Sequence, residues 1–256
     1  MRTLAVLAML AVLGGAMASR ILAANGETTI RLGNLVVRAR GIITPRALPS
    51  DTMAPITLHA SGSVATVDGS HVPPARTVHL QVDRHFRIDT TGLPSCRPQE
   101  IEASTPSQAM RACGAALIGK GVAGAEVEFP ESAPFNARGP LLGFNGPVAA
   151  GRMEMLYYVY VSVPAPTALV VVAKVAKDSG RYGYRITLKV PELAGGSGSL
   201  TGFEIKIGRE WTHDGQRHSL LSADCPNGRF VNQLEAEFGD GTVLSGAFPD
   251  SCQTRR

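Results

Sequence analysis

Thr77-Val78-His79-Leu80-Gln81-Val82-Asp83 decides the fold class of this chain. Apolar and polar residues alternate at every position. In an extended chain successive side chains point to opposite faces, so Val78, Leu80 and Val82 line one face and His79 and Gln81 the other. The same two-residue period recurs where Ile186, Leu188 and Val190 alternate with Arg185, Thr187 and Lys189, and where Phe203, Ile205 and Ile207 alternate with Glu204 and Lys206. Ile56 to Thr66 reads as a further strand. Met153 to Val163 is apolar at nearly every residue, as expected of a strand covered on both faces, and Leu169 to Val175 is similar. Asn145-Gly146, Asp214-Gly215 and Asp240-Gly241 carry hairpin-turn signals.

Working outward, composition agrees. The 256 residues include 28 Gly and 17 Pro, scattered without period, which excludes collagen and long helical bundles. A hydrophobic share of 44% is too high for a disordered chain. One helix is predicted over about 106–118: Thr105-Pro106-Ser107-Gln108 has the form of a capping box with Pro at the first helical position, Met110, Cys113 and Leu117 share a face, and Gly119 reads as the stop. The predicted fold is all-β: an antiparallel β-sandwich or barrel-like set of about ten to twelve strands with one short helix. Residues 19–256 are read as one domain, with 94–105 the best internal boundary.

Arg2, the apolar run Leu4 to Leu13 and Ala16-Met17-Ala18 have the order of a secretory signal peptide over residues 1–18. The run is shorter than the ~20 residues of a spanning helix, so no membrane span is expected in the mature chain. The formal net charge of +4 is dispersed among acids without a basic run, which argues against a nucleic-acid partner. The four cysteines, Cys96, Cys113, Cys225 and Cys252, read as disulfides in an exported chain. Closeness in sequence favours Cys96–Cys113 and Cys225–Cys252. A zinc site fits poorly because no CxxC or CxxH spacing exists.

Several segments are distinctive: Leu93-Pro94-Ser95-Cys96-Arg97, Ala112-Cys113-Gly114-Ala115-Ala116-Leu117-Ile118-Gly119, Pro130 to Phe135, Leu142 to Gly146, and Arg217 to Pro226. Across roughly residues 56–252 they resemble a family of secreted, β-rich actinobacterial proteins of uncharacterised function. The resemblance implies an exported fold with paired cysteines and carries no catalytic residues.

Catalytic motifs are sparse. Gly195-Gly196-Ser197-Gly198-Ser199 resembles a nucleophile elbow only superficially, because Ser199 stands where Gly is needed. Glu204 with Glu210, or Glu235 with Glu237, offer paired carboxylates, although alternating strands usually just solvate such residues. No Walker sequence, GxGxxG or HExxH occurs, so neither cofactor nor metal is expected. The densest cluster is Trp211 to His218: a two-residue turn at Asp214-Gly215 puts Trp211, His213, Gln216 and His218 on one face, able to stack on and hydrogen-bond a sugar. The competing reading makes Trp211 a core anchor. His59 and His79 occupy polar positions of strands read as neighbours, either solvated, the favoured reading, or facing each other, and Tyr157, Tyr158 and Tyr160 read as core packing. The expected function is a secreted, non-enzymatic binding or structural module, extracellular or at the cell envelope, whose partner is an envelope component or carbohydrate. The alternatives are a hydrolase of envelope polysaccharide or lipid and a carrier of an apolar ligand.

Overall fold

The computed structural model describes residues 20–24, 27–130, 133–149, 152–163 and 165–255; the expected signal peptide at 1–18 lies outside the described residues. The chain opens with β1 (Arg20–Ala24), β2 (Glu27–Leu32), β3 (Leu35–Thr44), β4 (Ala47–Pro49) and β5 (Ala54–Pro55). Then come β6 (Thr57–Thr66), β7 (Ala75–Asp83) and β8 (Phe86–Ile88), followed by the helix α1 (Pro106–Cys113). The next run is β9 (Leu117–Val127), β10 (Phe135–Ala149), β11 (Arg152–Val161), β12 (Thr167–Lys177), β13 (Tyr182–Lys189) and β14 (Gly198–Ile207). The last strands are β15 (Glu210–His213), β16 (Gln216–Ser219), β17 (Leu221–Ala223), β18 (Arg229–Phe238), β19 (Val243–Ser251) and β20 (Gln253–Arg255).

Thirteen strands form one antiparallel sheet in the order β1-β2-β3-β6-β14-β9-β10-β11-β12-β13-β7-β18-β19. The sheet curls until β19 lies beside β2 and β3, so it is a nearly closed barrel. The alternation that decided the fold class sits inside it: Leu80 of β7 lies between Ile186 of β13 and Leu234 of β18, all pointing inward. Because β6 pairs with β3 and β14 while β7 pairs with β13 and β18, His59 and His79 do not face each other.

One end of the barrel is plugged. The long connections from β3 to β6, β7 to β9 and β14 to β18 all leave from that end, and Leu48, Ile56, Ile88, Leu220 and Phe230 pack with the inward faces of the central strands. A second apolar cluster lies outside the barrel, where α1 and the preceding loop cover Leu142, Phe144, Leu156 and Tyr158. This is why β11 is apolar on both faces. A third cluster, including Ile30, Val37, Phe238 and Leu244, fills the region where the first and last strands meet.

The capping box of α1 is present: the Gln108 backbone N–H donates to Thr105 Oγ1 at 3.4 Å, and Gln108 Oε1 accepts from the Thr105 backbone N–H at 2.8 Å. The helix is shorter than predicted. It ends at Cys113, a 3-10 turn spans Gly114–Ala116, and the chain enters β9 at Leu117. Gly119 is therefore a strand residue and not a helix stop; a Cβ there would come within 2.9 Å of the Lys206 carbonyl oxygen. Asn145-Gly146 is likewise no hairpin turn. It lies within β10, where the Asn145 amide donates to the Pro94 carbonyl at 2.9 Å and its Oδ1 has no partner among the described residues. Tertiary packing of the 93–96 loop on β10 overrides the local turn preference there. Both expected disulfides form: Cys96–Cys113 ties α1 to the loop before it, and Cys225–Cys252 ties the chain's last strands to the plugged end.

Candidate functional site

The four residues expected to share a hairpin face do so. His213 stands opposite Gln216 and Trp211 opposite His218, across a turn in which Asp214 and Gly215 both have positive φ (48° and 76°). Their surroundings come from the turn after β8. Trp211 Nε1 donates to the Thr91 carbonyl at 2.9 Å, and the Trp211 and His218 rings stack with centroids 5.6 Å apart. His218 Nδ1 lies 3.1 Å from Asp89 Oδ2. Burial pushes the Asp89 carboxyl up, but the Thr91 amide and hydroxyl and the His218 imidazole outweigh it and hold the group below the usual carboxylate range. Trp211 also packs against the main interior cluster. The face is thus engaged with its own protein, and Gln216 is the member that stands exposed.

A second polar cluster was not assembled from the sequence. His71, in the connection between β6 and β7, has Nδ1 2.6 Å from Glu126 Oε1 and Nε2 3.3 Å from Ser199 Oγ. The distances are those of a serine–imidazole–carboxylate relay. Ser199 is fully buried, however, and its hydroxyl donates to the Val72 carbonyl. Its proton is directed to a backbone oxygen and its oxygen is closed to substrate, so the cluster acts as a clamp between the 71–72 segment and the ends of β9 and β14. The paired carboxylates lie elsewhere: Glu204, Glu235 and Glu237 are exposed on the outward face, and Glu210 pairs with Arg217 at 2.8 Å. Outward residues His79, Gln81, Arg185, Gln233 and Glu235 line a shallow depression of about 140 Å³. Cys96, Glu100 and Cys113 lie close enough to suggest a metal site, but both sulfurs are in the disulfide.

The barrel interior is the fourth candidate. Eight strands already enclose a space that side chains or one small ligand fill, and diameter grows with strand number. Beyond the plugged end, inward side chains are incompletely packed. Leu58, Val82, Val161, Leu169, Ile186 and Leu188 are only half-buried, although they line the core side of the sheet. Phe203 has the inward parity of Ile205 and Ile207 and is 44% exposed. Tyr157 is surrounded by protein yet retains accessible surface, and burial pushes its phenol up to about 12.

No family model matches the chain, and neither does a curated protein or a solved structure. The candidates therefore stand on geometry. The inward parity of Phe203 was legible in its alternation with Glu204. That it borders open space was not, because exposure depends on how many strands enclose the interior. The approach of His71 to Ser199 left no sequence signal, since 128 residues separate them.

Proposed function

We propose that this protein is a secreted, non-enzymatic binding module that carries an apolar ligand inside its barrel. The observation that carries the reading is the half-buried apolar lining, with Phe203 44% exposed on the core side of the sheet. A soluble protein gains by packing such side chains tightly, at about 25 cal/mol per Å² of apolar surface removed from water. An accessible apolar concavity with few polar groups is the usual form of a small-molecule site. Export is supported by the charged, apolar and small-residue segments of residues 1–18 together with two disulfides, which persist in oxidising compartments. The resemblance to secreted actinobacterial proteins points the same way.

Titration of the purified, delipidated mature protein with the hydrocarbon fluorophore diphenylhexatriene tests the reading. Saturable enhancement at about one probe per chain is expected. Ala60→Phe, which adds a ring on the inward face of β6, should reduce that binding while circular dichroism and Tm report an intact fold. Absence of saturable binding to the unmodified protein would refute the carrier.

A further inference from the structure

Strand ends aside, the inward positions of β6, β7 and β11 to β14 are apolar except for two tyrosines, Tyr157 and Tyr184. The two differ in what their hydroxyls meet. Tyr184 Oη accepts the Ile88 backbone N–H at 3.1 Å. The nearest partner of Tyr157 Oη is the thioether of Met155, with sulfur 3.9 Å away. A thioether is a weak acceptor, so among the described residues the Tyr157 O–H has no oxygen or nitrogen partner, in surroundings that are mostly apolar. Outside the lining the pattern is different again: Tyr158 donates to the Ser104 carbonyl and Tyr182 to Gln233 Oε1.

We infer that Tyr157 is the polar anchor of the barrel interior, and that the ligand is a neutral, largely apolar molecule bearing one hydrogen-bond acceptor, such as an ester or ketone carbonyl. The inference rests on the carrier reading. A donor in apolar surroundings without an oxygen or nitrogen partner is unfavourable, and a ligand acceptor placed at Tyr157 Oη relieves it. An ionised carboxylate is disfavoured. No Lys or Arg occupies the inward mid-strand positions of these six strands to neutralise it, and an unpaired charge in apolar surroundings is expensive. The phenol's upward shift agrees, since it keeps Tyr157 protonated and able to donate throughout the physiological pH range.

Three fluorescent probes of similar size separate the possibilities: diphenylhexatriene, cis-parinaric acid methyl ester and cis-parinaric acid, each titrated into the full mature chain at neutral pH. The expected result is that the ester binds more tightly than the free acid. Tyr157→Phe should weaken the ester by roughly 5- to 30-fold, the equivalent of one hydrogen bond, and leave diphenylhexatriene unchanged within about twofold. Met155→Leu, which removes only the sulfur contact, should retain ester binding. Equal weakening of all three probes by Tyr157→Phe would make the residue a packing element and overturn the anchor. Unchanged ester binding, or an acid that binds as tightly as the ester, would overturn it too. Loss of the anchor with diphenylhexatriene still bound leaves the carrier standing; failure of all three probes on the unmodified protein sinks both.

Discussion

Gly92 lies directly beneath the imidazole of His213: a side chain on Gly92 would overlap the ring, and its φ of +71° is one that other residues adopt only with strain. Glycine here allows the Trp211 hairpin to settle on the turn that carries Asp89 and Thr91. Gly92→Ala should therefore destabilise the protein by about 1–3 kcal/mol, measured by chemical denaturation. Adding His213→Ala should recover the overlap contribution and leave only the backbone cost of about 1 kcal/mol. A double variant no more stable than Gly92→Ala alone would show that the ring is not what the glycine accommodates.

The disulfide at Cys96–Cys113 closes a short loop around α1. Replacing both cysteines by Ala should cost about 3 kcal/mol on the chain-entropy estimate, which is a fall of roughly 6–12 °C in Tm for a chain of this size. Calorimetry checks the magnitude. Non-reducing peptide mapping checks the pairing, which should yield 96 linked to 113 and 225 linked to 252.

Asp89 makes stability sensitive to acid. Its folded carboxyl titrates below the unfolded value of about 3.9, so its contribution is complete above that value and disappears as pH falls through the folded one. Asp89→Asn should lower stability at pH 6 and make little difference near pH 2. Urea midpoints across that range measure the slope.

Asp250 has the opposite sign. Burial pushes its carboxyl up, against the Ser251 amide and the charges of Arg46 and Arg40. The fold therefore carries a penalty when the group is ionised, and the penalty fades as pH falls from the folded value towards the unfolded one. Asp250→Asn should raise Tm by a few degrees at pH 7 and by less near pH 3. A decrease at pH 7 would indicate that the Arg contacts outweigh desolvation.

The His71 clamp gives a chemical prediction. Because Ser199 is buried and donates to the Val72 carbonyl, a fluorophosphonate reagent should leave it unlabelled. Glu126→Gln should weaken the His71 contact and destabilise by about 1–2 kcal/mol without exposing a nucleophile. Labelling of Ser199 in the native protein would restore the hydrolase as a reading.

Local pattern carried much of this fold. Val78-His79-Leu80-Gln81-Val82 announced a strand with one buried face, and Asp214-Gly215 announced a hairpin whose register is the observed one, because both signals depend on neighbours within a few residues. Asn145-Gly146 misled because the Leu93–Cys96 loop, some fifty residues away, docks on that position and keeps the strand extended. Gly119 misled for a similar reason: its missing side chain admits the Lys206 carbonyl of a distant strand. Strand order, and with it the width of the interior, depends on pairings such as β7 with β18. Neither sequence contains a mark of its partner, so the surroundings of Tyr157 and the exposure of Phe203 were invisible until the sheet was assembled.

The meeting of β2 and β3 with β19 has a consequence in time. The strands that complete the barrel, at 27–44 and 243–251, are far apart in sequence, so the interior has no closing wall until both are in place. Pairings as remote as Leu80 with Leu234 must then form across long loops, which places the protein among slowly folding, high-contact-order chains. Until that moment the apolar lining is open from the side. Under the proposed carrier function, a ligand can therefore be enclosed during folding as well as admitted afterwards.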